Sequence, residues 1–242
     1  MIYEKYFNSA ITGILEGVNQ MDENMKSVVL NRINRTAAAL KKNNMEFHYA
    51  ESKIEVLTII SNLLKTGDVV ATGGSMTLEE CGVIDLLRSD KYKYLDRAAI
   101  EHDKLEQLYR ASFSADAYIC SANAVTENGE LYNVDGNGNR VAAISYGPKS
   151  VIIVVGYNKI VTNLDEAVNK VKNTAAPANA QRLTCASYCY EKGCCVSEKK
   201  GLQTMTDGCD SDSRLCCDYL ITAHQRNKNR IKVIIVGEKL GY

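Results

Sequence analysis

Short apolar runs of strand length alternate along this chain with segments whose apolar residues recur every three or four positions, which admits few architectures. Residues 45–49, 68–72, 117–120 and 151–155 read as strands. Between them Ile54, Leu57, Ile60 and Leu64 mark one helical face, and residues 77–87 and 100–113 read as helices. Leu164, Val168, Val171 and Ala175 share a face after the last of these strands. Parallel strands need crossovers long enough to hold a helix, so this order predicts an α/β fold, a mainly parallel sheet flanked by helices. Residues 219–224 and 231–236, joined by the polar turn QRNKNR, predict a hairpin on the sheet edge.

At the front, Ile14, Val18, Met21, Met25 and Val28 keep a four-three spacing in a proline-free segment closed by Leu40. This predicts one long or broken amphipathic helix, standing outside the sheet as an arm or lid and offering a homodimer contact. With two prolines, Pro148 and Pro177, and no linker-like tract or internal repeat, residues 1–242 read as one domain. Its parts are a helical arm at 1–44, an α/β core at 45–183, a cysteine-rich segment at 184–217 and C-terminal strands at 218–242.

Lysine plus arginine and aspartate plus glutamate number 29 each, so no net field draws nucleic acid or an anionic membrane. No apolar run exceeds strand length, and the first residues lack the pattern of a secretion signal. A cytoplasmic protein with a small, mostly polar, anionic ligand is expected.

Three loops concentrate polar chemistry. In TGGSMTLEE, residues 72–80, a strand runs into two glycines and the capping pattern Thr77-x-x-Glu80. Gly73, Gly74, Ser75 and Thr77 are expected to meet an anion with backbone amides and hydroxyls; an ordinary strand-to-helix turn is the competing reading. The segment matches neither a Walker loop nor the dinucleotide fingerprint. Residues 121–143 pack Asn123, Glu127, Asn128, Asn133, Asp135, Asn137, Asn139 and Arg140 among glycines. Turns at ENG and DGNGN in a plain hairpin explain part of that density, Glu127 and Arg140 least. The third loop puts Asn158 and Lys159 at the carboxyl end of strand 151–155, where open α/β sheets bind ligands. His48, His102 and His224 share no ligand spacing and carry no assigned role.

Of nine cysteines, seven fall at 185, 189, 194, 195, 209, 216 and 217, a density suited to a local site more than to a disulfide framework. Four thiolates complete a tetrahedral zinc site or hold one [4Fe–4S] cluster. The absence of paired C-x₂-C knuckles and of a nearby histidine favours iron–sulfur, with zinc as the alternative. A third reading is reduced structural thiols that pair reversibly under oxidation. Adjacent pairs such as Cys194-Cys195 and Cys216-Cys217 cannot both point into one small cluster.

Taken together, GGSMTLEE, NAVTENGELYNVDGNGNRVAA, YGPKSVIIVVGYNKIV and VIIVGEKLGY resemble the LUD-domain family, named for lactate utilisation proteins, over residues 1–242. The resemblance implies a fold like that of the sugar-phosphate isomerase, deaminase and CoA-transferase group (NagB/RpiA/CoA-transferase-like), with ligand bound at the loop-rich sheet edge. Short family members carry a C-terminal cysteine pattern, and Arg182-Leu183 sets its register. That register implies Cys189, Cys195, Cys209 and Cys216 as ligands. About a dozen residues separate Cys195 from Cys209, where the family has two, and Cys185, Cys194 and Cys217 are additional. TENG, residues 126–129, resembles the SENG segment of CoA transferases, which implies Glu127 as a catalytic nucleophile toward an acyl thioester.

The function expected from all of this is an enzyme acting on an organic acid or phosphorylated metabolite, with an iron–sulfur or other metal centre. Gly73, Gly74, Ser75, Thr77, Asn123, Asn133, Asp135, Asn139, Arg140, Asn158 and Lys159 would bind substrate. The alternatives are an electron-transfer partner in a lactate-type oxidation complex and a ligand sensor with a structural zinc.

Overall fold

A computed structural model describes residues 21–201 and 204–242, apart from the side chains of Glu198 and Lys200. The first half contains α1 (Glu23–Lys42), β1 (Glu46–Ala50), α2 (Glu55–Leu63), β2 (Val69–Thr72), α3 (Met76–Glu80), α4 (Val83–Leu87), β3 (Lys93–Leu95), α5 (Leu105–Ser112) and β4 (Ala117–Cys120). Then follow β5 (Ala124–Thr126), β6 (Leu131–Asp135), α6 (Asn139–Tyr146), β7 (Ser150–Gly156), β8 (Ile160–Val161), α7 (Leu164–Lys170) and α8 (Ala176–Leu183). A π-helical turn, Val171–Ala175, joins α7 to α8. The chain closes with α9 (Tyr188–Lys192), α10 (Val196–Lys200), β9 (Asp218–Thr222) and β10 (Ile231–Val236).

Six strands in the order β1-β10-β7-β4-β2-β3 form a wholly parallel sheet. The apolar run in β7 shows why it must be covered on both sides. Val151, Ile153 and Val155 pack with Ile33 and Leu40 of α1 and Ile144 of α6. Ile152 and Val154 pack with Val56 and Ile60 of α2, Leu78 of α3, and Val83 and Leu87 of α4. Alternate residues of a strand face opposite ways, so an unbroken apolar strand needs helices on both faces. A second sheet, β8-β5-β6-β9, pairs β5 with β8 in parallel and β6 antiparallel with β5 and β9. It packs Ala124, Tyr132 and Val134 against Ala167 and Val171.

Four expectations are corrected. First, α1 is a covering helix of the sheet, not an arm, because Ile33, Thr36, Ala37 and Leu40 are buried. Met25 and Val28, on the expected apolar face, are 50% and 58% exposed; Ile14 and Val18 lie outside the described residues. Second, β9 and β10 are not a hairpin but belong to different sheets. Five of the six residues of β10 are buried, a pattern that an edge strand could not satisfy. Third, the segment expected as one helix at 77–87 breaks into α3 and α4 at Gly82, whose φ is 70°. Fourth, residues 121–143 hold a β5–β6 hairpin with its turn at ENG, but the second turn leads through Gly138, at φ 69°, into α6. Among the described residues, no helix is long and apolar enough to cross a membrane.

Candidate functional site

Because all strands of the main sheet run one way, their carboxyl ends share an edge, and the loops after β2, β4, β7 and β10 meet there. They border a cleft of about 380 Å³ lined by Gly74 and Ser75, Ser121 to Asn123, Lys159, and Gly241 and Tyr242. Asp135, Gly136, Asn137, Asn139 and Arg140 contribute from the β6–α6 turn, Arg97 and Arg182 from opposite sides.

Arg140 organises the floor. Its Nε donates to Asp135 Oδ1 at 2.8 Å, and Nη2 donates to Asn123 Oδ1 at 2.9 Å and Val134 O at 2.8 Å. Nη1 donates to Ser121 O at 2.9 Å and Asn133 Oδ1 at 3.5 Å. Asp135 Oδ2 in turn accepts from the Val141 amide at 2.9 Å, which fixes the first turn of α6. Asn123, Asn133, Asp135 and Arg140 are therefore one network, as their density in the sequence suggested, but they hold the loops in place. Arg140 spends all its donors inside the protein and lends the cleft only its charge. Asn133 Nδ2 is buried without a hydrogen-bond partner among the described residues.

Lys159 is 4% exposed. Its Nζ donates to Thr77 Oγ1 and to Ser121 Oγ, both at 3.0 Å. Burial, then the charges of Arg140 and Lys170, push its amine down to about 7, against smaller opposing effects of Glu80 and Cys120.

The glycine loop differs from expectation. Ser75, not Thr77, caps α3, accepting from the Leu78 amide at 3.4 Å. With five residues, α3 offers little dipole. Thr77 is fully buried beneath Lys159. Gly73 is needed for packing, since a Cβ there would lie 3.1 Å from the Tyr118 hydroxyl and the Arg140 side chain. Gly74 lets Arg97 close in, because a Cβ would lie 2.6 Å from its Nη1. Asn158 tethers the C-terminal segment: its Oδ1 accepts from the Leu240 amide at 3.0 Å and its Nδ2 donates to Gly241 O at 3.2 Å.

Glu127 stands apart from the cleft. Its carboxylate accepts from Arg32 Nε at 2.7 Å and from Arg35 Nη2 at 3.0 Å, clamping α1 to the β5–β6 turn. Partial burial works to raise its pKa, but the two guanidinium groups hold it below the usual carboxylate range. Both oxygens are engaged, so the geometry gives this carboxylate a structural place and no approach to a thioester in the cleft.

Cys189, Cys195, Cys209 and Cys216 line one cavity walled by Tyr132, Val171, Ala176, Val196, Met205 and Leu215. Cys185 faces the cleft instead, and Cys194 and Cys217 line neither space. Cys189 Sγ lies 3.4 Å from Ser187 Oγ, and Cys195 Sγ lies 3.0 Å from Ser197 Oγ. Burial raises the Cys189 thiol, as do Cys209 and Cys216, against the opposing Ser187 hydrogen bond. Arg214 ties the far side together, with Nε donating to Cys216 O at 2.9 Å and Nη1 to Cys209 O at 3.3 Å. Among the described residues, no three cysteine, histidine or carboxylate side chains converge on a single ion-sized point. Four thiols thus line one apolar-walled space beside an arginine.

The cavity and the cleft share a wall: Val171, Ala176, Arg214, Leu215 and Cys216 line both. Arg97, Tyr109, Arg182, Arg214 and Tyr242 also line the cleft, and nothing in their sequence surroundings marks them for it, since they reach it only through folding.

A DUF162 family protein from Deinococcus radiodurans has a crystal structure similar to this one. It is 16% identical with a TM-score of 0.46, over 88% of this chain and 98% of that chain. Two Chaetomium thermophilum proteins show weaker likeness. For eIF2B beta the identity is 18% and the TM-score 0.34, over 47% of this chain and 44% of that one. For eIF2B delta the values are 16% and 0.32, over 60% and 57%. Among curated proteins, none matches. The pattern of the LUD domain matches residues 33–236, most of the sequence, and the chain therefore belongs to the LUD-domain family.

Proposed function

We propose that this chain is a redox enzyme for a small anionic metabolite, an organic acid or phosphorylated compound. In this reading a [4Fe–4S] cluster is held by Cys189, Cys195, Cys209 and Cys216 next to the substrate cleft. The observation that carries it is the shared wall, since Cys216 and Arg214 line both spaces. Four thiols around one cavity supply the ligand number of a [4Fe–4S] cluster. The cluster would supply one-electron transfer through the Cys216 wall. Nine unpaired cysteines also fit a reducing compartment such as the cytoplasm.

Binding falls to the cleft. Arg97, set over Gly74, and Arg182, braced through Nε by Asn179 at 3.1 Å and the Tyr242 hydroxyl at 2.8 Å, present cations from two sides. Arg140 adds charge from beneath, and the low dielectric of a partly enclosed cleft strengthens all three.

The test is anaerobic purification with iron, sulfide and zinc analysis and visible absorption. Brown protein with iron and sulfide is expected, with Cys189→Ser and Cys216→Ser losing the colour and Cys194→Ser and Cys217→Ser keeping it. Colourless protein with one zinc per chain sinks the redox reading. Titration calorimetry with oxalate reads the cleft separately. Arg97→Gln is expected to weaken oxalate about tenfold, near 1.4 kcal/mol.

A further inference from the structure

Lys159 sits on the cleft floor with a role that anion binding does not require. Its two hydroxyl neighbours decide which way protons point. Thr77 Oγ1 donates to Leu240 O at 3.5 Å, and Ser121 Oγ donates to Ala122 O at 3.3 Å. Both contacts are longer than a usual O–H···O hydrogen bond, and each hydroxyl oxygen accepts from Lys159 Nζ at 3.0 Å. A neutral amine has two N–H groups, both used here, and its lone pair stays unspent. The side chain is nearly enclosed yet lines the cleft, with Arg140 just beneath. Charged surroundings agree: Arg140 and Lys170 disfavour the ammonium form more than Glu80 and Cys120 favour it.

We propose that Lys159 is a nucleophile that condenses with the carbonyl carbon of a small anionic aldehyde or 2-oxo acid to form an imine. The proposal rests on the anion-binding cleft described above. The Nζ lone pair forms the C–N bond while the carbonyl π pair moves to oxygen, which takes a proton from solvent in the open cleft. Nζ then gives up both of its protons, one leaving with the hydroxyl as water and one returning to solvent, which leaves a C=N bond. Thr77 and Ser121 orient the amine, and the cleft arginines hold the anionic end of the substrate, so the reacting atoms meet in one orientation.

The test uses the full-length protein with glyoxylate and cyanoborohydride, followed by peptide mass spectrometry. One carboxymethyl group on Lys159 is expected, increasing as pH rises through about 7, and oxalate should suppress it. Lys159→Met removes the amine while keeping a neutral side chain of similar length, and is expected to lose the label. If oxalate binds but label spreads over exposed lysines without favouring Lys159, the imine proposal fails alone. If neither oxalate binding nor selective label is found, the cleft reading and the imine fail together.

Discussion

Replacing Arg140 with methionine removes the group on which the cleft floor depends. The Arg140 and Asp135 side chains are 13% and 9% exposed, so the remaining carboxylate would be stranded away from water. It would keep the Val141 amide as a partner. Ser121 O, Val134 O and Asn123 Oδ1 would lose a charged donor as well. Breaking a buried pair by removing one member costs about 3–5 kcal/mol. For a chain of this size that lowers the melting temperature by about 6–20 °C. Urea denaturation of Arg140→Met, Asp135→Asn and the double variant is the assay. Coupling between the two sites should exceed about 1 kcal/mol, the double variant being less destabilised than the sum of the singles. A loss below about 1 kcal/mol in Arg140→Met, or additive singles, would refute the network's role. Removing the Arg140 charge should also raise the Lys159 pKa, which Arg140 depresses.

Three further outcomes are expected. Lys159 has a folded pKa of about 7 against an ordinary 10.5, so the unfolded chain holds the extra proton between those values. Stability should therefore rise with pH across that window, on the order of 2 kcal/mol from pH 7 to 9, and Lys159→Met should flatten the slope; an unchanged slope removes the assigned shift. Glu127 is depressed, so its stabilisation is present above the ordinary carboxylate pKa and lost as pH falls through the folded value. Glu127→Gln should cost about 1 kcal/mol at neutral pH given the exposed Arg35, shrink the acid-side loss and leave oxalate binding intact; weakened oxalate binding would return Glu127 to the site. Gly129→Ala, at φ +81° with a Cβ 2.8 Å from the Ala39 and Leu40 backbone, should cost more than about 2 kcal/mol as α1 is pushed off the turn. A stable variant would mean that α1 packs more loosely there.

Much of the main sheet could be read from residue order, because strands buried on both faces must be apolar throughout and their crossovers must be helical. The cleft's polar network was legible for a related reason: Asn123, Asn133, Asp135 and Arg140 exceed what turns need. Their roles were not, since the sequence cannot say that Arg140 spends its donors on Asn123 and Asp135 and presents none to a ligand. Glu127 drew attention through a four-residue likeness, but Arg32 and Arg35, more than ninety residues away, occupy it.

By itself the sequence determined the alternation of strands and helices, the loops at the carboxyl edge and the clustering of thiols, all properties of neighbours along the chain. Tertiary structure alone decided strand partners and electrostatics. β9 pairs with β6 while β10 enters the main sheet, because burial on one face or on two depends on what else has folded around a strand. Lys159 becomes a weaker base only where folding buries it and sets Arg140 and Lys170 near it, with Thr77 and Ser121, 82 and 38 residues away, as its hydrogen-bond partners. The cost of desolvating a charge is set by the atoms that surround it, and those come from distant parts of the chain.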